Sequence, residues 1–283
     1  MTLRNIVKVK KFIEKLEKHH VSEYASQCSY YIVISFVPFL ILLSTAMQAL
    51  GFSREALFYI ITTIIPNGMS SDVITIAAES YSKPIGTISI SLIFLLWSSA
   101  KGFHALSKGF HTIYEVPKKY NFFYFRLRSI IGIIIFIVVI ITALLLMGYG
   151  WKIDAMMAQN NLPANRIFSA IIRIRTIIVF VDLFIIFILI YKFIPKHKVK
   201  AKEQIPGAIF STIAWVIISY TFSLFLKIFT GISNIYGSLT TIMLIMMWIF
   251  FCIYALLVGA EINREIERRR KAKKKNESKN EAK

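Results

Sequence analysis

The chain has 283 residues, of which 56% are hydrophobic and 23 are Phe, with a formal net charge of +19 and a mean hydropathy of +0.62. A soluble protein of this length cannot bury so much apolar side chain, and too little polar sequence remains for a separate globular domain. The positive charge alone fits either nucleic acid or a membrane surface, so its placement has to decide.

Residues 1–20 (MTLRNIVKVKKFIEKLEKHH) place Ile6, Val9, Phe12, Ile13 and Leu16 at helical spacing with lysines between them. This pattern predicts a cytoplasmic amphipathic basic helix, suited either to the inner-leaflet headgroup boundary or to a partner protein. The segment lacks the apolar core and small-residue cleavage site of a signal peptide, so the first span is expected to be an uncleaved anchor. Six runs, at roughly 28–50, 86–105, 129–150, 176–194, 206–229 and 239–260, are long enough for a hydrocarbon core about 30 Å thick. The expected fold is all-α: a polytopic integral membrane protein whose domain, 21–264, is a bundle of six transmembrane helices. Between the first two spans, REALFYIITTIIPNG holds only 11 apolar-run residues, Ala56 to Pro66, and closes on a strong turn signal. It reads as an additional short helix, re-entrant or interfacial. Residues 265–283 read as a cytoplasmic basic tail, helical to about 270 and disordered beyond.

When Lys and Arg near a span's end are counted with the adjoining segment, alternate segments hold 27 of the 34, against 7 in the others. This positive-inside bias predicts a multi-pass protein of the bacterial plasma (inner) membrane with both termini cytoplasmic. It also accounts for the charge through anionic lipid headgroups at the basic termini, without nucleic acid. Self-association into a homo-oligomer is compatible with the pattern.

An ionisable residue inside a span is a functional candidate because burying it costs a few kcal/mol. Asp182, in IIVFVDLFIIF, is the clearest case: either a cavity acid that binds protons or cations, or an interhelical partner, with Arg175 one heptad earlier. Lys101 and His104, at the end of the second span, are candidates for an inner basic rim. The competing outcome for Lys101 is snorkelling to the headgroups. Ser98 beside Lys101 matches a nucleophile pair only in residue type. In the fifth-to-sixth connection, FTGISNIYGSLTT, Asn234, Tyr236 and Ser238 form a candidate outer polar loop or an ordinary hairpin. Tyr30, Ser35 and Pro38 mark a packing or kink face of the first span. Glu261 falls about 33 Å along the sixth helix from Leu239, at the cytoplasmic boundary. There it is a candidate latch, pairing with a basic residue such as Lys101. Ala255 and Gly259 offer a small-residue face for close packing. Cys28 and Cys252 are expected to be buried, inert thiols. No catalytic constellation, metal-spaced cluster or cofactor loop is visible, so no enzyme activity, metal or cofactor is expected.

Four segments in order resemble the YihY/BrkB family of bacterial inner-membrane proteins: YASQCSYYIVISFVPFLILL, LLWSSAKGFHALSKGFHTIY, YKFIPKHKVKAKEQIPGAIFS and IYGSLTTIMLIMMWIFFCIYALLVGAEIN. The resemblance covers most of residues 20–265 and implies a six-helix bundle with cytoplasmic termini. Gln27 and Ser29 stand where the family commonly has alanine. Family members once carried a tRNA-processing ribonuclease label, but this chain lacks the His/Asp metal cluster such an enzyme needs. The resemblance also implies links to serum resistance and to lipid or solute transport. The expected function is a transporter or flippase-like protein for lipid or a small amphipathic solute of unknown identity; the alternative is a non-transporting scaffold for envelope proteins.

Overall fold

The computed structural model describes residues 3–49, 85–116, 180–195, 201–228 and 238–281, together with residues 51, 53–55, 57, 58, 62, 74, 75, 77 and 78. These form helices α1 (Leu3–Lys18), α2 (Val21–Ala49), α3 (Ile85–Ile113), α4 (residues 180–193), α5 (Ala201–Ile228) and α6 (Ser238–Glu281). No strand occurs among the described residues.

Local chemistry sets the helix ends. His20 adopts a left-handed φ of 53°, so α1 stops and the chain turns before α2 begins one residue later. Glu115 (φ 51°) ends α3 in the same way, with the Val116 N–H donating to the His111 carbonyl at 3.0 Å. Within α2, the hydroxyls of Ser29, Ser44 and Thr45 donate to carbonyls four residues earlier at 2.7–2.9 Å. Polar side chains satisfied by their own helix in this way tolerate an apolar setting. Pro38 lies inside α2 and removes one ladder donor.

Helix α2 packs chiefly on α3, α5 packs on α6, and α6 also crosses α2. The core divides in two. At the end that carries α1, Val21, Ala25, Phe110, Tyr114, Tyr191 and Leu257 are buried together. At the far end, Leu40, Met47, Leu57, Phe222, Ile245 and Trp248 form an apolar cluster. The outside of the bundle is apolar as well: Ile90 and Ile93 of α3 are both 71% exposed, and Ile217 and Tyr220 of α5 are exposed likewise. An apolar rim on a chain of this composition is a surface for hydrocarbon.

Four described helices are long and apolar enough to cross a membrane, over Val21–Thr45, Ser89–Ile113, Lys202–Leu226 and Ile242–Ser278. The predicted third span (129–150) lies outside the described residues, and α4 covers the inner part of the predicted fourth. Most of the predicted short helix at 56–66 also lies outside them, although Leu57 is fully buried in the far cluster.

Two boundary predictions are corrected. The predicted spans 28–50 and 86–105 are pieces of longer helices that continue past the apolar run at the α1 end. The tail expected to be disordered beyond 270 is helical to Glu281. Arg269–Glu265, Lys271–Glu267 and Lys273–Glu277 pair at i,i+4 along it, and no Gly or Pro interrupts it.

Candidate functional site

Polar side chains concentrate where α3 ends, α5 begins and α6 passes. Pro206 in α5 cannot donate a backbone hydrogen bond, and the next amide, Gly207 N–H, donates to Asn263 Oδ1 of α6 at 2.7 Å. Asn263 Nδ2 donates to Gln204 Oε1 at 3.1 Å, and the same oxygen accepts from the Tyr114 hydroxyl at 2.7 Å. Burial pushes the Tyr114 hydroxyl well above the usual phenol range, so it stays a donor. One helical turn away, the Tyr191 hydroxyl of α4 donates to the Leu256 carbonyl at 2.8 Å and sits 2.6 Å from Ser211 Oγ. Ser211 in turn donates to the Ala255 carbonyl at 3.1 Å. Four helices are thus joined by buried hydrogen bonds.

Two glycines permit this closeness. A Cβ on Gly207 would overlap the Gly259 carbonyl and the Asn263 amide; one on Gly259 would overlap the Tyr191 and Ser211 hydroxyls. The backbones of α5 and α6 therefore meet directly, as the small-residue face around Ala255 and Gly259 predicts.

Glu261, 0% exposed, lies beside this network. Its partner is not Lys101, as expected for the latch, but His19, whose Nδ1 is 2.8 Å from Glu261 Oε2. Lys101 is exposed, while the turn at His20 folds α1 back so that His19 is the base placed against α6. Lys15 of α1 pairs with Glu265, a second tie between the same helices. Glu261 Oε1 has no hydrogen-bond partner among the described residues, so this buried carboxyl group is served on one oxygen only. Arg264 does not pair back to Glu261; it reaches Glu267 and, with Arg268, Glu115 at the end of α3. Hydrogen bonding from Arg268 holds the Glu115 carboxyl below the usual range.

The other predicted residues do not converge. Lys101 and His104 are exposed three residues apart on α3. Ser98 is buried, its hydroxyl 2.8 Å from that of Ser35, which makes this pair a contact between α2 and α3. Tyr30 is half exposed. Ser238 opens α6, whereas Asn234 and Tyr236 lie outside the described residues. Cys28 and Cys252 are buried and unpaired.

Asp182 stands apart. On α4 the buried Phe187 and Tyr191 share one face, from which Asp182 is rotated by about 140–180° at 100° per residue. It is partly exposed, and no described residue bonds to it; Arg175 lies outside the described residues. Nine residues separate it from Tyr191, about 14 Å along the helix. It therefore sits well away from the network.

Gln204, Gly207 and Asn263 are absent from the sequence-based candidates. A signal existed: Gly259 and Asn263 are four apart in GAEIN, and Gly207 directly follows Pro206.

Comparison with known proteins places the chain. It is 28% identical over 242 residues to the ribonuclease-like protein YfkH of Bacillus subtilis (strain 168), covering 85% of this chain and 88% of YfkH. It is 22% identical over 247 residues to a UPF0761 membrane protein of Chromohalobacter salexigens, covering 85% of this chain but only 58% of that protein. A UPF0761 membrane protein of Xanthomonas oryzae pv. oryzae matches at 32% over 65 residues, 23% of this chain and 15% of its own length. No solved structure matches. The family model described as virulence factor BrkB matches residues 12–283, and with that coverage the chain belongs to the BrkB family of membrane proteins.

Proposed function

We propose that the protein is a six-span, non-enzymatic transporter or flippase-like protein of the bacterial plasma membrane, with both termini cytoplasmic, moving lipid or a small amphipathic solute. One observation carries the reading. Asp182 is a partly exposed ionisable side chain turned from the buried face of α4, with no partner among the described residues. A carboxylate held against hydrocarbon costs about 2.5–3.5 kcal/mol on insertion scales, which is not retained without use. The α4 face around Asp182 then borders a polar path, with Asp182 as its proton- or cation-binding acid and Lys101 and His104 as a basic rim at its inner mouth.

The test is reconstitution of the full chain into liposomes with NBD-labelled phospholipid scrambling and a solute-flux panel. Asp182→Asn is expected to lower one of these rates at least about tenfold, the scale of one lost charged interaction. Rates equal to wild type across the panel refute the reading.

The long exposed end of α6 favours a second reading, a non-transporting scaffold. Removing residues 272–283, a cut that spares the buried Glu261 and Glu267, abolishes a scaffold's role and leaves flux intact in a transporter.

A further inference from the structure

Helix α1 uses only part of its apolar stripe on the protein. Leu16 is buried in the core at its end of the bundle and Phe12 packs against it, while Lys15 and His19 pair with Glu265 and Glu261. On the adjoining edge, Val9 and Ile13 remain 52% and 49% exposed. Four residues apart, they form a continuous ridge beside Phe12 and Leu16. At 100° per residue Lys10 and Glu17 lie beside this ridge, while Lys11, Glu14 and Lys18 are exposed on the side of the helix away from it; over its whole length α1 carries six basic residues against two acidic ones.

Chain geometry restricts what meets this edge. The first membrane-crossing stretch begins at Val21, and Val9 is 12 residues earlier, so the ridge lies within about 18 Å of the point where α2 enters the bilayer. Headgroup layers extend the bilayer from about 30 Å to 40–45 Å, so this reach keeps α1 close to the interface. The two ties to α6 restrict it further. An apolar ridge on a helix with an excess of basic residues matches the boundary between acyl chains and anionic headgroups, where a net positive helix gains from the surface potential.

We propose that the Val9–Ile13 edge of α1, with Lys10 beside it and the net basic charge of the helix behind it, is a docking surface for anionic phospholipid of the leaflet that α2 enters, while Phe12, Leu16, Lys15 and His19 hold the same helix on the bundle. The helix is a clasp between protein and leaflet. This goes beyond the transport reading and does not depend on it.

The test places an environment-sensitive fluorophore on Ile13→Cys in the full chain, the two native thiols being buried. Quenching by a lipid-borne nitroxide and by aqueous iodide is compared in nanodiscs of phosphatidylcholine alone and with phosphatidylglycerol. Lipid quenching is expected to rise about twofold with phosphatidylglycerol, and the gain to disappear at high salt or in the Lys10→Gln/Lys11→Gln/Lys18→Gln variant. Strong iodide quenching in both discs overturns the proposal. So does a label shielded from both quenchers whatever the lipid, which indicates a protein partner or a second copy on this edge.

Discussion

Two acids, Glu261 and Asp182, live in opposite surroundings. Glu261 is wholly buried, touches His19, and lies next to hydrogen bonds that join α3, α4, α5 and α6. Asp182 is partly exposed, unbonded among the described residues, and turned from the packed face of α4. The first arrangement meets all but one Glu261 oxygen with partners that tie helices together, as an assembling junction does. The second has no such partner, and on the transport reading we propose it is the working acid. Position in the membrane alone does not separate these roles; the partners do.

The contrast breaks first at the α5–α6 crossing. Gly259→Leu drives a side chain into the Tyr191 and Ser211 hydroxyls and the Gly207 carbonyl. Because backbone must move, it is expected to cost about 3 kcal/mol or more and to abolish a monodisperse peak in detergent chromatography. A protein that elutes and melts like wild type shows that the crossing is loose. A smaller effect is expected for Glu261→Gln, which replaces the carboxyl but keeps a group able to hydrogen-bond His19. It should cost about 1–2 kcal/mol, read as a lower melting temperature. Any transport rate should keep its pH dependence; loss of that dependence without destabilisation makes Glu261 a working acid instead.

The smallest effect belongs to Glu115→Gln. Arg268 and Arg264 lower the Glu115 carboxyl, so this ion pair contributes above the ordinary carboxylate value of 4.5 and is lost as pH falls through the lowered value in the folded chain. The side chain is half exposed, so the pair is worth less than about 1 kcal/mol. Wild type and variant should therefore differ slightly in melting temperature near neutral pH and converge in acid. A difference that grows in acid contradicts the assignment.

Spans were legible because hydrocarbon thickness imposes a minimum apolar length, and four described helices carry the expected runs. Their ends were less so. The left-handed turns at His20 and Glu115 and the i,i+4 pairs of Glu265, Glu267 and Glu277 set where helices stop, and hydropathy does not register these. Helix length placed Glu261 at the edge of the apolar zone and the small-residue spacing identified Gly259, because both follow from one helix alone. The partner of Glu261 did not: His19 is 242 residues away in sequence, and which base reaches α6 depends on the turn that folds α1 back. The Asn263–Gly207–Gln204 network was missed for the same reason, since periodicity gives a helix its face but not the helix opposite.

The division between an assembling junction and a working acid is tested most directly by measuring phospholipid scrambling, solute flux and thermal melting on the same proteoliposome preparations of Asp182→Asn and Asn263→Leu. Asn263→Leu leaves Gly207 N–H and the Gln204 side chain short of a partner, and is expected to lower the melting temperature by the equivalent of about 2 kcal/mol, with flux per folded molecule unchanged. Asp182→Asn is expected to melt like wild type and to lose flux or scrambling. An Asp182→Asn protein that is destabilised while transporting at the wild-type rate contradicts the account.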